Sequence, residues 1–224
     1  MARASRRLER RSDFEFFVRE APATFRRLAD ADPRNAFFDP VYRLCITPGG
    51  AMGGIDRRML EVFYGSRPFE AVREFVPRQD RFPSVQERLL AENGARLVYQ
   101  RVDNGTVMCT LEPARSEGFR RPEDAILLEW VRRSHVLTGE SLPARHWRAF
   151  VSYMECTSLE GEPSLGDRVR VWWLLATRRL VVAGVERTPL YRRVLLEVAK
   201  FSATVGLSGF LLKVVEVWFA TPKP

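Results

Sequence analysis

The dipeptide Asn104-Gly105 is the feature that most constrains the fold of this chain. It lies between two short segments, residues 97–103 and 106–112, that are rich in apolar and β-branched side chains. An Asn-Gly pair in this setting is the strongest short-range signal for a β-hairpin, because a type I′ turn needs two residues that accept positive φ. The sequence therefore predicts an antiparallel hairpin over residues 97–112.

The alternation of side chains sets the register that we expect for this hairpin. With Asn104-Gly105 as a two-residue loop, three cross-strand pairs share one face: Val102 with Val107, Gln100 with Cys109, and Val98 with Leu111. That face is apolar apart from Gln100, and a shift of one residue would mix apolar and polar side chains. We therefore expect a small antiparallel sheet with one core face.

Helix signals surround the hairpin. Ser12 or Asp13 starts a predicted helix through Val18, and Pro22 starts a second short helix that runs to Ala29. Three further helices are predicted before the hairpin: one that begins at Asp56 and buries residues 59, 60 and 63, one over residues 69–75, and one from a capping box at residues 84–87 to Asn93-Gly94. Residues 41–47 are predicted to be a short strand.

The second half of the chain favours helices, with two ambiguous segments. A helix that begins at Ser141 has apolar side chains at the spacing of a buried helix face: Trp147, Phe150, Val151 and Met154. Residues 122–133 fit either a helix or a third strand, whereas residues 167–185 favour a helix by their length. A last helical region is predicted from Thr188-Pro189 to about residue 219. The breaker-rich residues 161–166 mark an internal boundary.

These elements predict an α+β protein. We expect a small antiparallel sheet around the 97–112 hairpin, packed by helices, with a helical C-terminal half. The expected division is a basic arm at residues 1–11, an α+β core at residues 12–160 and a helical region at residues 161–224 packed on that core. The chain has 224 residues, 46% of them hydrophobic and 29% charged, which excludes a disordered tail or linker protein.

The positive charge is concentrated at the N-terminus. The net charge is +8, from 36 basic and 28 acidic residues, and residues 1–11 supply half of it through five arginines against Glu9. Arginine forms bidentate hydrogen bonds with phosphate. The candidate nucleic-acid-binding residues are the arginines of this arm and of the helix region that follows: Arg3, Arg6, Arg7, Arg10, Arg11, Arg19, Arg26 and Arg27.

Signals for catalysis or cofactor binding are weak. His135 and His146 belong to no zinc-binding pattern, and the three cysteines have neither metal-ligand nor redox spacing. The glycines at positions 49, 50, 53 and 54 lack the rest of a phosphate-binding motif, and Asp56 would compete with a phosphate there. Asp103 and Glu112 lack the lysine of a metal-dependent nuclease. No catalytic residue, cofactor or metal is therefore predicted.

The leading functional hypothesis is a non-catalytic cytoplasmic protein that contacts nucleic acid or another anionic partner through the N-terminal arginines. The alternative is a peripheral membrane or oligomer-forming protein that uses the amphipathic residues 189–219. An enzyme of unrecognised type is the third hypothesis. Integral membrane insertion is not expected, because the longest uncharged apolar run, residues 201–212, is shorter than the about 20 residues that a spanning helix needs.

Overall fold

The computed structural model describes residues 2–51, 54, 56–78, 81–189 and 191. The helices are α1 (Ala2–Asp30), α2 (Pro33–Tyr42), α3 (Ser141–Thr157) and α4 (Leu165–Thr177), with a 3₁₀ helix at Ser134–Thr138. The strands are β1 (Leu44–Pro48), β2 (Met59–Tyr64), β3 (Ser66–Arg78), β4 (Arg81–Asn93), β5 (Arg96–Arg101), β6 (Val107–Glu112), β7 (Arg115–Ser116), β8 (Ala125–Val131), β9 (Arg179–Val182) and β10 (Val185–Arg187). Mixed helices and antiparallel sheets confirm the α+β class.

The main sheet is larger than the small sheet that we expected. Its seven strands lie in the order β1-β2-β5-β6-β8-β9-β10, and every neighbouring pair is antiparallel. A second sheet consists of the long hairpin β3–β4 with β7 at its side. The 97–112 hairpin supplies β5 and β6 at the centre of the main sheet, so the prediction of its two strands is confirmed.

The main core lies where α1 and α3 pack on the sheet. Phe17 and Phe25 of α1 contact the ring of Tyr99 on β5, with ring centroids 5.1 and 6.0 Å apart. On α3, Phe150 stacks on Tyr64 of β2 at 5.3 Å, and all five of these side chains are 2% exposed or less. Aromatic contacts of this kind add to the free energy gained by burial.

The predicted hairpin register was wrong by one residue. Tyr99 pairs with Cys109 and Leu97 with Leu111, so the core face carries Tyr99 and not Gln100. The reason is the turn: Gly105, at φ 82°, donates its N–H to the carbonyl of Val102, and Val102 donates to that of Thr106. Gly105 is thus a left-handed bulge residue after the turn, and the loop is longer than the two-residue turn that we expected.

Three predicted helices before the hairpin were wrong. Residues 59–64 form β2, residues 66–78 form β3, and residues 81–93, including the capping-box sequence at 84–87, form β4. Helix capping contributes only about 1 kcal/mol, and the pairing of β3 with β4 over most of their length satisfies the backbone instead.

The two predicted N-terminal helices are one continuous helix. Pro22 lies inside α1, although a proline in a helix interior costs about 3 kcal/mol. The buried positions Phe14, Phe17, Ala21, Phe25 and Ala29 follow one another at intervals of three and four along the whole segment. Packing of this unbroken stripe offsets the cost of the proline, and residues 2–11 continue the same helix.

The two ambiguous segments became a strand and a mixture of helix and strand. Residues 125–131 of the 122–133 segment form β8. In the 167–185 segment, the residues up to 177 belong to α4 as predicted, but residues 179–182 form β9 and residue 185 begins β10, so the helix prediction is wrong for its last part. The helical character of the C-terminal half is not confirmed, because β8, β9 and β10 belong to it as well. The predicted helical region 189–219 lies outside the described residues except for residues 189 and 191, and the division at residues 161–166 stays a prediction.

Candidate functional site

A groove runs between β8, α3, α4 and the 3₁₀ helix. It consists of two adjoining cavities of about 290 and 530 Å³ that share Glu129 and Arg145. We call it the arginine–tryptophan groove after eight of its lining residues: Arg132, Arg133, Arg145, Arg148, Arg170, Arg178, Trp130 and Trp173. These cavities have the size of small-molecule sites.

The groove follows from incomplete strand pairing. β9 pairs with β8 only at residues 125–127, so residues 128–131 of β8 have no strand on that side among the described residues. An unpaired strand edge presents backbone N–H and C=O groups. In place of a strand, the space beside this edge is flanked by side chains of α3 and by Arg170, Trp173, Leu174 and Arg178 from α4 and its end.

The groove is strongly cationic. Six arginines line it, and Glu129 is the one carboxylate among the described lining residues. Arg145 donates to both oxygens of Glu129, at 2.9 and 2.8 Å, so this carboxylate is already paired. Four of the arginines have no carboxylate within salt-bridge distance in the described part of the chain: Arg132, Arg133, Arg148 and Arg178. Such an excess of cations attracts an anionic ligand.

An exposed tryptophan gives the groove a second property. Trp173 on α4 is 60% exposed. Trp130 is 47% exposed, but the preceding residue of β8, Glu129, faces His146 of α3, so strand alternation directs the indole of Trp130 to the opposite face of the sheet. Large aromatic side chains are normally more buried, because each contributes strongly to core stability. An exposed indole beside arginines that have no carboxylate partner in the described part of the chain can stack on a planar group while the arginines bind the phosphates attached to it.

A buried relay of hydrogen bonds forms the base of the groove. The hydroxyl of Tyr99 lies 2.9 Å from Nδ1 of His146, and Nε2 of His146 lies 3.1 Å from Glu129. Glu129 only accepts, so Nε2–H donates to it and Tyr99 donates to Nδ1 of a neutral imidazole. Tyr99 is fully buried, and burial raises the pKa of its hydroxyl. The hydroxyl is therefore a poor candidate for a nucleophile.

The pKa of His146 should make the free energy of unfolding depend on pH. Burial lowers this pKa below its ordinary value of 6.5, and the hydrogen bond to Glu129 opposes that shift only in part. As pH falls below about 6.5 the unfolded chain therefore binds a proton that the folded chain resists, so the free energy of unfolding falls by up to about 1.4 kcal/mol per pH unit.

This pH dependence can be measured by urea unfolding between pH 7.5 and 5.0. The hydrogen bond from His146 holds the pKa of Glu129 below 4.5, so the stability that Glu129 contributes is lost only at lower pH. We expect H146Q to lose most of the slope and H135Q, at an exposed histidine, to keep it. An equal slope in wild type and H146Q would contradict this assignment.

An arginine network holds α4 against α3 and so positions one wall of the groove. Arg34, at the start of α2, binds Asp32 through two nitrogens and Asp167 of α4 at 2.8 Å. Ser152 of α3 donates to Asp167 at 2.7 Å and accepts from Arg170 at 2.7 Å. Burial alone would raise the pKa of Asp32 and of Asp167, but these hydrogen bonds and the charge of Arg34 hold both below the usual range.

The predicted N-terminal arginines lie along α1. Arg10 is partly buried and lies on the side of Phe14 and Phe17, at intervals of four and three residues. Arg10 donates to the carbonyl of Asn104 at 3.4 Å, so these first turns lie beside the β5–β6 loop. Arg6, Arg7 and Arg11 are exposed on the same turns. Arg19, Arg26 and Arg27 are exposed later in the helix; Arg19 lies over the ring of Phe16, and Arg27 is 4.0 Å from Glu140.

A series of contacts connects the start of α1 with the groove. Arg10 contacts the β5–β6 loop at Asn104, and Ser134 of the 3₁₀ helix donates to the carbonyl of the next residue, Gly105, at 3.2 Å. Arg132 and Arg133, which line the groove, directly precede Ser134. The arginines at the start of α1 and those of the groove therefore lie at the two ends of one continuous contact path.

The other sequence candidates occupy ordinary structural positions. In the glycine-containing loop after β1, the carboxylate of Glu61 accepts a hydrogen bond from the N–H of Ala51 at 2.5 Å. This backbone donor is therefore already bonded and is not free to bind a phosphate. Asp103 pairs with Arg58 at 3.5 Å. The three cysteines are free, and no group of three His, Cys, Asp or Glu side chains in the described part of the chain is arranged to hold a metal.

Sequence reasoning missed the groove because its residues are scattered over β8, α3 and α4. The available signal was the preference for arginine: 33 of the 36 basic residues are arginines, and two of them flank His146 and Trp147 as Arg145 and Arg148. The chain matches no protein-family model, no curated protein and no solved structure.

Proposed function

We propose that this protein is a non-catalytic cytoplasmic binding protein whose partner is single-stranded nucleic acid, bound in the arginine–tryptophan groove. The observation that carries the proposal is the combination, in one groove, of four arginines that have no carboxylate partner among the described residues and the exposed indole of Trp173. Phosphates would bind the arginines, and a base would stack on Trp173. A single strand suits this site, because its bases are free to stack.

The N-terminal arginines extend this proposal along the contact path from α1. Arg7, Arg10 and Arg11 lie on the turns beside the β5–β6 loop, whereas Arg19, Arg26 and Arg27 lie farther along the helix. We expect the first set to contribute more to binding. The role of all eight sequence candidates, Arg3 and Arg6 included, stays a prediction.

Neutralising two groove arginines tests the proposal. We expect the double variant R148Q/R178Q to weaken binding of a labelled 20-nucleotide single strand at least tenfold in 0.1 M salt. Because each lost phosphate contact reduces the salt dependence by about 0.7, the slope of log affinity against log salt should fall by about 1.4. Fluorescence anisotropy over a series of salt concentrations measures both quantities.

The matched control removes the same charge elsewhere. Arg73 on β3 and Arg187 on β10 are exposed and do not line the groove, so R73Q/R187Q should change the affinity less than threefold. In a third variant, W173L should lower affinity for the single strand by about 1–3 kcal/mol and for a duplex by less. Equal losses in the two double variants, or no binding of wild type to single strands, would contradict the proposal.

The membrane alternative depends on residues 189–219, most of which lie outside the described residues. Among the described helices, none is long and apolar enough to cross a bilayer. The anisotropy assay separates this alternative from nucleic-acid binding, since a protein that binds vesicles alone would give no signal with the labelled strand.

A further inference from the structure

Helix α4 has an apolar face on the side away from the core. Its inner side is buried through Asp167, Val171 and Leu174. On the outer side, Leu165 is 81% exposed, and Val169 and Trp172 are each 65% exposed. A helix that is apolar on both sides is normally covered on both sides.

The spacing on this outer face is that of a helix-pairing seam. Leu165, Val169, Trp172 and Ala176 follow one another at intervals of four, three and four, which is the a/d pattern of a helix that packs along a second helix. The face therefore fits a helical partner.

We propose that the partner is α4 of a second copy of this chain, packed antiparallel across a two-fold axis. In this arrangement Val169 of one copy is level with Trp172 of the other, and Leu165 is level with Ala176. Each of these two pairs then combines a large side chain with a smaller one, so that the outer face of α4 is complementary to the same face of a second copy.

The buried area is sufficient for a specific dimer. Covering the exposed parts of these side chains on both copies would bury on the order of 1,000 Å², the lower end for a specific interface, and would leave Trp173 outside it. The dimer would also place two arginine–tryptophan grooves on one particle, because Arg170 and Trp173 lie on the same helix. The dimer itself does not depend on the proposed function.

The first test is the mass of the full-length protein in solution. We expect analytical ultracentrifugation at 20 μM to give the mass of two chains for wild type and of one chain for V169D. The matched control is V185D on β10, where the valine is 63% exposed but lies off the helix face, and this variant should remain a dimer. A monomeric wild type, or a dimeric V169D that is folded by circular dichroism, would overturn the proposal.

The second test identifies what covers the face. A photoreactive amino acid in place of Trp172, in a mixture of ¹⁴N- and ¹⁵N-labelled chains, should form crosslinks between chains to the peptide that contains Val169. Crosslinks within one chain to residues 192–219, or crosslinks only to lipid when vesicles are added, would overturn the dimer. If the wild type is monomeric but binds the single strand, the dimer is contradicted and the proposed function is not. If the wild type is dimeric but binds no strand, the proposed function is contradicted and the dimer is not.

Discussion

Replacing Arg34 by methionine is expected to lower the free energy of unfolding by about 3 kcal/mol. The guanidinium of Arg34 is shared between Asp32 and Asp167, whose side chains are only 11% and 8% exposed. Methionine fills a similar volume but leaves Asp32 without its cation and Asp167 with only the longer contact to Arg170, at 3.7 Å. The loss of stability therefore comes mainly from two poorly exposed carboxylates whose charges are less well compensated.

Urea unfolding at pH 7 measures this loss, and R168M is the control. Arg168 is exposed on α4, so its replacement should change stability by less than about 0.5 kcal/mol. A double-mutant cycle with D167N should show that R34M costs less once the carboxylate is gone. If R34M and R168M cost the same, the network does not hold α4 in place.

Because Arg34 also holds α4, which forms one wall of the groove, its replacement should also affect binding in the groove. Asp167 connects Arg34 to Ser152, which in turn accepts from the groove residue Arg170. We expect R34M to weaken strand binding even at temperatures where the variant remains folded. Arg34 does not line the groove, so its effect on binding comes from holding α4 and the groove residue Arg170 in position.

The second large effect is expected for Phe150, which should cost about 3–5 kcal/mol when replaced by alanine. Its ring is fully buried, stacks on Tyr64 and lies 5.4 Å from the ring of Trp147. The substitution leaves a cavity between α3 and the sheet that neighbouring rings cannot fill without leaving their rotamers.

Thermal and urea unfolding of F150A should be compared with F119A, a phenylalanine that is 47% exposed. We expect F119A to cost less than about 1 kcal/mol, because about half of the surface of Phe119 is already exposed to water. A loss below about 1.5 kcal/mol in F150A would contradict dense packing of the core around α3.

Local patterns predicted some elements correctly. Helix α3 and the two strands on either side of Asn104-Gly105 were predicted correctly, because the apolar spacing of α3 and the Asn-Gly turn signal are both local features of the sequence. The register of that hairpin was missed, since the turn has a bulge at Gly105, and a bulge moves every pair by one residue.

Local signals failed where a partner distant in sequence decided the structure. The capping-box sequence at residues 84–87 carries a good helix start, yet it pairs with β3 as a strand. Pro22 is a good helix start as well, yet it lies inside α1 because the buried stripe continues past it. In both places the free energy of pairing or burial exceeds the small preference of the local sequence.

The composition, the excess of arginine, the α+β class and the absence of a recognisable catalytic motif were determined by the sequence alone. Only the tertiary structure decided that arginines from β8, α3 and α4 line one groove with an exposed tryptophan, and that the start of α1 lies beside the central hairpin. The physical reason is that charge and helix periodicity are properties of neighbouring residues, whereas a groove is made by segments that meet only after the sheet has been paired and the helices have packed on it.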